Sequence, residues 1–202
     1  MRPCGGPRGW ATAGCTAAGI WPDAPTSPGS APGPDISWML RLTPAPTPPA
    51  LEATRPLALL VPGAAPRRPA KRWPAGAYGE LARGLIARGF AVGVVGGEPE
   101  RESARIIEAA APGALNLVGR TDLAGLAALG ARAAVSVGND TGPQHLIAAA
   151  GAPTVALFSA DSDPALCAPR GDVAILRELS LADLPVDRVL AAALTQSRRA
   201  AE

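Results

Sequence analysis

The chain has 202 residues, 48% of them hydrophobic, and a formal net charge of +2, which suffices for one ordinary domain with a buried core. So small a charge leaves no electrostatic footprint for nucleic acid or for a strongly basic membrane patch, and no apolar run approaches the roughly 20 residues of a membrane span. Cys4, Cys15 and Cys167 form no CxxC pair and no cluster with the one histidine, which argues against a disulfide scaffold or zinc site and fits a reducing cytosol.

Residues 1–56 carry about half of the 23 prolines and show neither helical spacing nor strand alternation. They read as a Pro/Gly-rich leader or linker, largely irregular, although Trp21 and Trp38 are residues that unpacked linkers seldom carry. Arg2 and Arg8 are followed by Gly and Pro where a secretion signal needs an apolar core.

From Leu57 onward the texture changes. Apolar runs suited to buried strands occupy residues 57–61, 91–95, 115–118, 133–137, 154–158 and 173–176. Segments with helical spacing fall between most of them, at 77–88, 99–111, 123–129, 143–150 and 180–194. Aromatics supply only 3% of the chain, so alanine, leucine and valine must fill the core. Strands alternating with helices predict an α/β domain over 57–196, a Rossmann-like parallel sheet with helices on both faces, followed by a tail at 197–202. Ligands of such sheets bind at the carboxyl ends of the strands, so those loops are the ones to read.

The loop after the first strand runs Pro62-Gly63-Ala64-Ala65-Pro66-Arg67-Arg68-Pro69-Ala70-Lys71-Arg72-Trp73-Pro74. Four cations behind small residues suit an anion such as a phosphate, with a solvated basic loop as the plainer reading. No GK[ST] follows the glycine, so this is not a Walker loop. After the second strand comes Gly96-Gly97-Glu98-Pro99-Glu100-Arg101-Glu102. Its glycines allow close backbone approach, and a carboxylate there can accept from ribose hydroxyls or simply complement a helix dipole.

The loop after the fourth strand, Gly138-Asn139-Asp140-Thr141-Gly142-Pro143-Gln144-His145, holds the chain's single histidine. Pro143 suits the first helical position and Gly151 the helix end, with Gly142 as N-cap. The free N–H groups of Gln144 and His145, the Thr141 hydroxyl and the His145 ring can then hold a phosphate. Asp140, next to an anion, makes better sense as an acceptor of sugar hydroxyls or loop N–H groups.

In this order the loops resemble the C-terminal half of family-nine glycosyltransferases, the ADP-heptose:lipopolysaccharide heptosyltransferases and their relatives. The matching pieces are Pro69-Ala-Lys-Arg-Trp-Pro74, Gly96-Gly-Glu-Pro-Glu-Arg-Glu102, Leu117-Val-Gly-Arg-Thr-Asp-Leu123 and, most specifically, Gly138-Asn-Asp-Thr-Gly-Pro-Gln-His145. The resemblance implies the donor-binding domain of a GT-B enzyme that transfers sugar from an ADP-sugar with inversion and without a metal or other cofactor. It implies that Lys71 contacts the donor phosphates, Glu100 the adenosine ribose and Asp140 the transferred sugar. Thr141, Gly142 and His145 would hold the diphosphate, and neutralising the departing ADP would aid bond cleavage. A lipopolysaccharide-type acceptor and a cytoplasmic location, peripheral at the inner membrane, follow from the same resemblance.

Two departures shape the expectation. Family members often place serine or threonine ahead of the lysine, where this chain has Ala64-Ala65-Pro66-Arg67-Arg68. The family's N-terminal Rossmann domain and its aspartate base have no counterpart in residues 1–56; Asp23 and Asp35 stand in another context. The expectation is therefore a chain that binds ADP or an ADP-sugar and, as it stands, transfers sugar poorly or not at all, its catalytic residues unassigned. The competing class is a non-catalytic nucleotide-sugar-binding or partner-binding module. A sugar-nucleotide epimerase is disfavoured by the Lys71 loop together with the His145 motif.

Overall fold

A computed structural model of the chain describes residues 55–64 and 69–199. The expected leader up to Thr54, with Trp21, Trp38, Asp23, Asp35, Cys4 and Cys15, lies outside the described residues, as do Arg67 and Arg68. The strands are β1 (Leu57–Val61), β2 (Ala91–Val94), β3 (Ala114–Asn116), β4 (Ala133–Asn139), β5 (Thr154–Phe158) and β6 (Val173–Arg177). The helices are α1 (Ala75–Ile86), α2 (Arg101–Ala110), α3 (Leu123–Arg132), α4 (Gly142–Ala149), α5 (Pro164–Cys167) and α6 (Val186–Arg199).

All strand pairs are parallel, and the sheet order is β3-β2-β1-β4-β5-β6. β1 and β5 are fully buried along their length, as strands covered on both faces must be. Successive residues of β1 serve opposite faces. Ala58 and Leu60 join Leu81 and Leu85 of α1, Ile107 of α2 and Val189 and Ala193 of α6 in one core cluster. Leu57, Leu59 and Val61 join Leu126 and Leu129 of α3 and Ile147 of α4 in the other. Strand order reverses direction at β1/β4, and this switch point opens a crevice at the strands' carboxyl ends.

The elements depart from the sequence pattern in specific ways. The segment predicted as one helix over 180–194 splits into a 3-10 turn, Leu181–Asp183, and α6, because Pro185 holds Leu184 in an extended conformation (ψ 113°). α6 continues to Arg199, past the expected domain limit at 196. α5, a single turn, was not predicted. β4 runs on to Asn139, and the N-cap of α4 is Thr141 in extended conformation, not Gly142.

Candidate functional site

The loops at the switch point are stapled by one buried side chain. Asn139, the last residue of β4, is fully buried, and its amide donates to the carbonyls of Pro62 and Gly63 at 3.0 Å each. Its oxygen accepts from the backbone N–H of Trp73 and from the Tyr78 hydroxyl, both at 3.1 Å. The loop after β1 is thereby tied at both ends to β4. Burial pushes the Tyr78 phenol far above its ordinary range, so it remains a donor, shared between Asn139 and the Val61 carbonyl. Trp73 packs edge-on against Tyr78, with ring centres 4.8 Å apart, and its indole N–H donates to the Leu184 carbonyl. Arg72 closes the same loop by donating to the Ala64 carbonyl.

This staple delivers Lys71 to Asp140, the residue that follows β4. Lys71 Nζ lies 2.8 Å from Asp140 Oδ2 and 3.0 Å from the hydroxyl of Ser162, in the loop after β5. The Ser162 hydroxyl donates to the same Oδ2 at 2.6 Å. The other carboxylate oxygen, Oδ1, faces His145 Nε2 at 3.4 Å. Burial pushes the Asp140 carboxyl up, but the hydrogen bonds from Lys71, Ser162 and His145, with the lysine charge, outweigh it and hold the carboxyl below its usual value.

On the opposite side of the crevice, Glu100 is clamped between two glycines. Its Oε2 accepts from the Gly97 N–H at 2.9 Å. A Cβ on Gly63 would lie 3.0 Å from the Glu100 carboxyl carbon, and one on Gly96 would lie 2.9 Å from its Cβ. The side chain can occupy this position only because both loops are bare there. At the N-terminus of α4, His145 N–H already donates to the Thr141 carbonyl. The phosphate-type donors expected of this turn are therefore the N–H groups of Gly142 and Gln144, not that of His145. The Thr141 hydroxyl is buried and unpartnered.

A cleft of about 510 Å³ joins these groups. Val61, Gly63 and Ala64 line it from the loop after β1, Gly96 and Glu100 from the loop after β2, and Asp140, Thr141, Gly142, Pro143 and His145 from the start of α4. Five of the expected site residues (Glu100, Asp140, Thr141, Gly142 and His145) thus meet in one cavity. Lys71 stands behind Asp140 and is only 9% exposed. Its ammonium is engaged by Asp140 and Ser162, so its most direct effect here is to hold that carboxylate. One wall offers the Glu100 carboxylate, the other a helix N-terminus with a hydroxyl, an imidazole and the Asp140 carboxylate, a pairing suited to a ligand that carries both hydroxyls and an anionic group.

Sequence reading passed over Asn139 as a staple and over Ser162 altogether. The rule that selects strand-end loops would have found Ser162 had it been applied to Ser159-Ala160-Asp161-Ser162-Asp163 after β5. That stretch also has the spacing of a paired-carboxylate motif, but Asp163 is spent as the N-cap of α5, accepting from the Ala165 N–H. Among the described residues no group of three or more His, Cys, Asp and Glu side chains converges on a point, and no helix is long and apolar enough to cross a membrane.

The family model described as glycosyltransferase family 9 (heptosyltransferase) matches residues 30–182. Lipooligosaccharide heptosyltransferase 2 of Haemophilus influenzae is 36% identical over 135 residues, 64% of this chain and 38% of that protein. The structure of E. coli ADP-heptose lps heptosyltransferase II superposes with a TM-score of 0.68 and 31% identity, covering 73% of this chain and 48% of that one. E. coli heptosyltransferase WaaC with ADP gives 0.65 and 25%, covering 74% and 46%. The chain spans less than half the length of each of these relatives. The six-stranded parallel sheet is thus the Rossmann-like architecture found in GT-B heptosyltransferase structures.

Proposed function

The chain belongs to glycosyltransferase family 9, the heptosyltransferases, and from that premise we propose that its cleft binds the ADP-sugar donor of a sugar transfer. The observation that carries this reading is the two-sided cleft at the β1/β4 switch point. A relative of the same fold is known with ADP. The carboxylate of Glu100 has one oxygen committed to Gly97; its other oxygen is the acceptor for ribose hydroxyls. The N–H groups of Gly142 and Gln144, the Thr141 hydroxyl and the His145 ring take the diphosphate. Asp140 Oδ1 accepts from the sugar. Lys71 lends positive potential from behind Asp140, and meets a phosphate directly only if that ion pair opens.

In the transfer, the bond between the anomeric carbon and the diphosphate oxygen breaks, and its electron pair leaves with ADP. An acceptor hydroxyl attacks from the opposite face, which inverts the centre, and its proton goes to a base outside this cleft. Donors fixed around the diphosphate stabilise the charge that develops there, a contribution made in the transition state more than in the ground state. A lipopolysaccharide-type acceptor, transfer without a metal, and work at the cytoplasmic face of a membrane belong to the same proposal. They rest on the family and on relatives of which this chain covers less than half.

Calorimetric titration with ADP and with ADP-heptose tests the reading. Binding of both is expected. No detectable binding of ADP would overturn the donor site. Binding without transfer, even when an acceptor and the companion half of a relative are supplied, would favour the non-catalytic module.

A further inference from the structure

We propose that Ser162 is a positioning residue that gives the two oxygens of Asp140 separate duties, and so lets the cleft distinguish an ADP-sugar from ADP; this rests on the donor-site reading above. Ser162 is 5% exposed. Its hydroxyl has one proton, and its two neighbours fix where that proton goes. The Lys71 ammonium can only donate and the ionised Asp140 carboxylate can only accept. The hydroxyl therefore accepts from Lys71 at 3.0 Å and donates to Asp140 Oδ2 at 2.6 Å, while Lys71 also donates to Oδ2 at 2.8 Å. This closed triangle occupies Oδ2 from the inner side. Oδ1 is left toward the cleft, where the long 3.4 Å contact with His145 is its one hydrogen bond among the described residues.

The hydroxyl has no competing structural duty. Capping of α5 falls to Asp163, and the turn before it is closed by the backbone bond from Ser162 N–H to the Ser159 carbonyl and by the Ser159 hydroxyl accepting from the Asp161 N–H. The loop is thus built without the Ser162 side chain, which is free to be set by Asp140 and Lys71. A carboxylate turns easily about its last torsion. With Lys71 alone on Oδ2 its plane is held by one flexible side chain; with the serine as a second anchor from the loop after β5, the plane is fixed. Oδ1 then presents a defined acceptor to a sugar hydroxyl, a group that ADP lacks at that place.

Ser162→Ala and Ser162→Thr are compared with the parent chain in two measurements. In ligand-free protein, carbon-13 NMR titration of the aspartate carboxyls, with Asp140 identified through Asp140→Asn, is expected to show Asp140 titrating at higher pH in Ser162→Ala and at the parent value in Ser162→Thr. Calorimetry is expected to show an affinity loss of about tenfold for ADP-heptose in Ser162→Ala, about the cost of one hydrogen bond to a charged group, with ADP changed less than about twofold and Thr restoring the loss. An Asp140 titration that does not move in folded Ser162→Ala, or that Thr fails to restore, overturns the positioning role whether or not any ligand binds. Equal losses for ADP and ADP-heptose overturn the selectivity. Should the parent bind neither ligand, the donor-site reading and the selectivity fall together, while the titration still decides the serine's hold on Asp140. If Ser162→Ala does not fold, Ser162→Cys, which keeps the volume and weakens the hydrogen bond, is read in its place.

Discussion

At the residue scale, the site depends on two neighbours with opposite tasks, Asn139 binding loops together and Asp140 binding side chains. Asn139→Ala would strand the Trp73 N–H and the carbonyls of Pro62 and Gly63 without partners in a buried place. A loss of about 2–4 kcal/mol is expected in urea unfolding, since each orphaned buried group costs about 1–3 kcal/mol. For Asp140 the pH dependence has a definite sign. Its folded carboxyl titrates below the ordinary value of 3.8, so the stability it contributes is fully present above about pH 4 and is lost as pH falls through the folded value. Urea midpoints measured from pH 6 down to pH 3 should therefore fall more steeply for the parent chain than for Asp140→Asn. That variant starts lower, because it leaves the Lys71 ammonium with a weaker, uncharged partner. Of these residues, Asp140, Thr141, Gly142 and His145 were legible because they stand consecutively or nearly so after a clear strand. Ser162 was not, because its place in a strand-end loop marks it as a candidate without naming its partner Lys71, 91 positions away.

At the element scale, the close approach of β1, β4 and α4 sets what each can carry. Gly138 pairs with Val61 across β1 and β4, and a Cβ there would sit 2.6 Å from the Val61 Cβ and 2.5 Å from Gln144 Oε1. Gly138→Ala should cost about 1–3 kcal/mol by overpacking and displace the start of α4, seen as a lowered urea midpoint together with weaker ADP binding. Gln144 is the opposite case. Its amide donates to Ser136, whose hydroxyl meets Thr154, which in turn bonds the Ala152 carbonyl, yet its own Oε1 is buried without a partner. Gln144→Met, similar in volume, should leave thermal stability unchanged or raise it by up to about 1 kcal/mol, because it removes an unsatisfied acceptor. Apolar runs bounded by Gly and Pro showed β1 and β5 to the residue. The composite helix before the C-terminus was misread because helical spacing continued across Pro185, and one-turn α5 is too short to leave a periodic trace.

At the scale of the whole molecule, alternation of strands and helices announced a parallel sheet covered on both faces, but not which strands are neighbours. That order comes from which faces fit, and no single-segment pattern contains it. The last helix shows how far the domain extends. The family match ends at residue 182, whereas Leu184, Val189, Leu190 and Ala193 are all buried in the core beside α1, and Leu184 carries the carbonyl that holds Trp73. A variant ending at Asp183 would forgo burial worth on the order of 5 kcal/mol, comparable to the entire stability of many domains. It should therefore show no cooperative unfolding transition by circular dichroism.

The central place of β1 has a consequence for how the protein is made. β1 emerges from the ribosome before every other described strand, yet one of its two neighbours, β4, is the fourth to appear. At ordinary elongation rates the apolar edge of β1 waits on the order of ten seconds for that partner. The staple and the triangle around Asp140 lie across or beyond that seam. Ligand affinity during synthesis should therefore arise abruptly and late, which makes nucleotide capture by stalled nascent chains a direct clock for completion of the sheet.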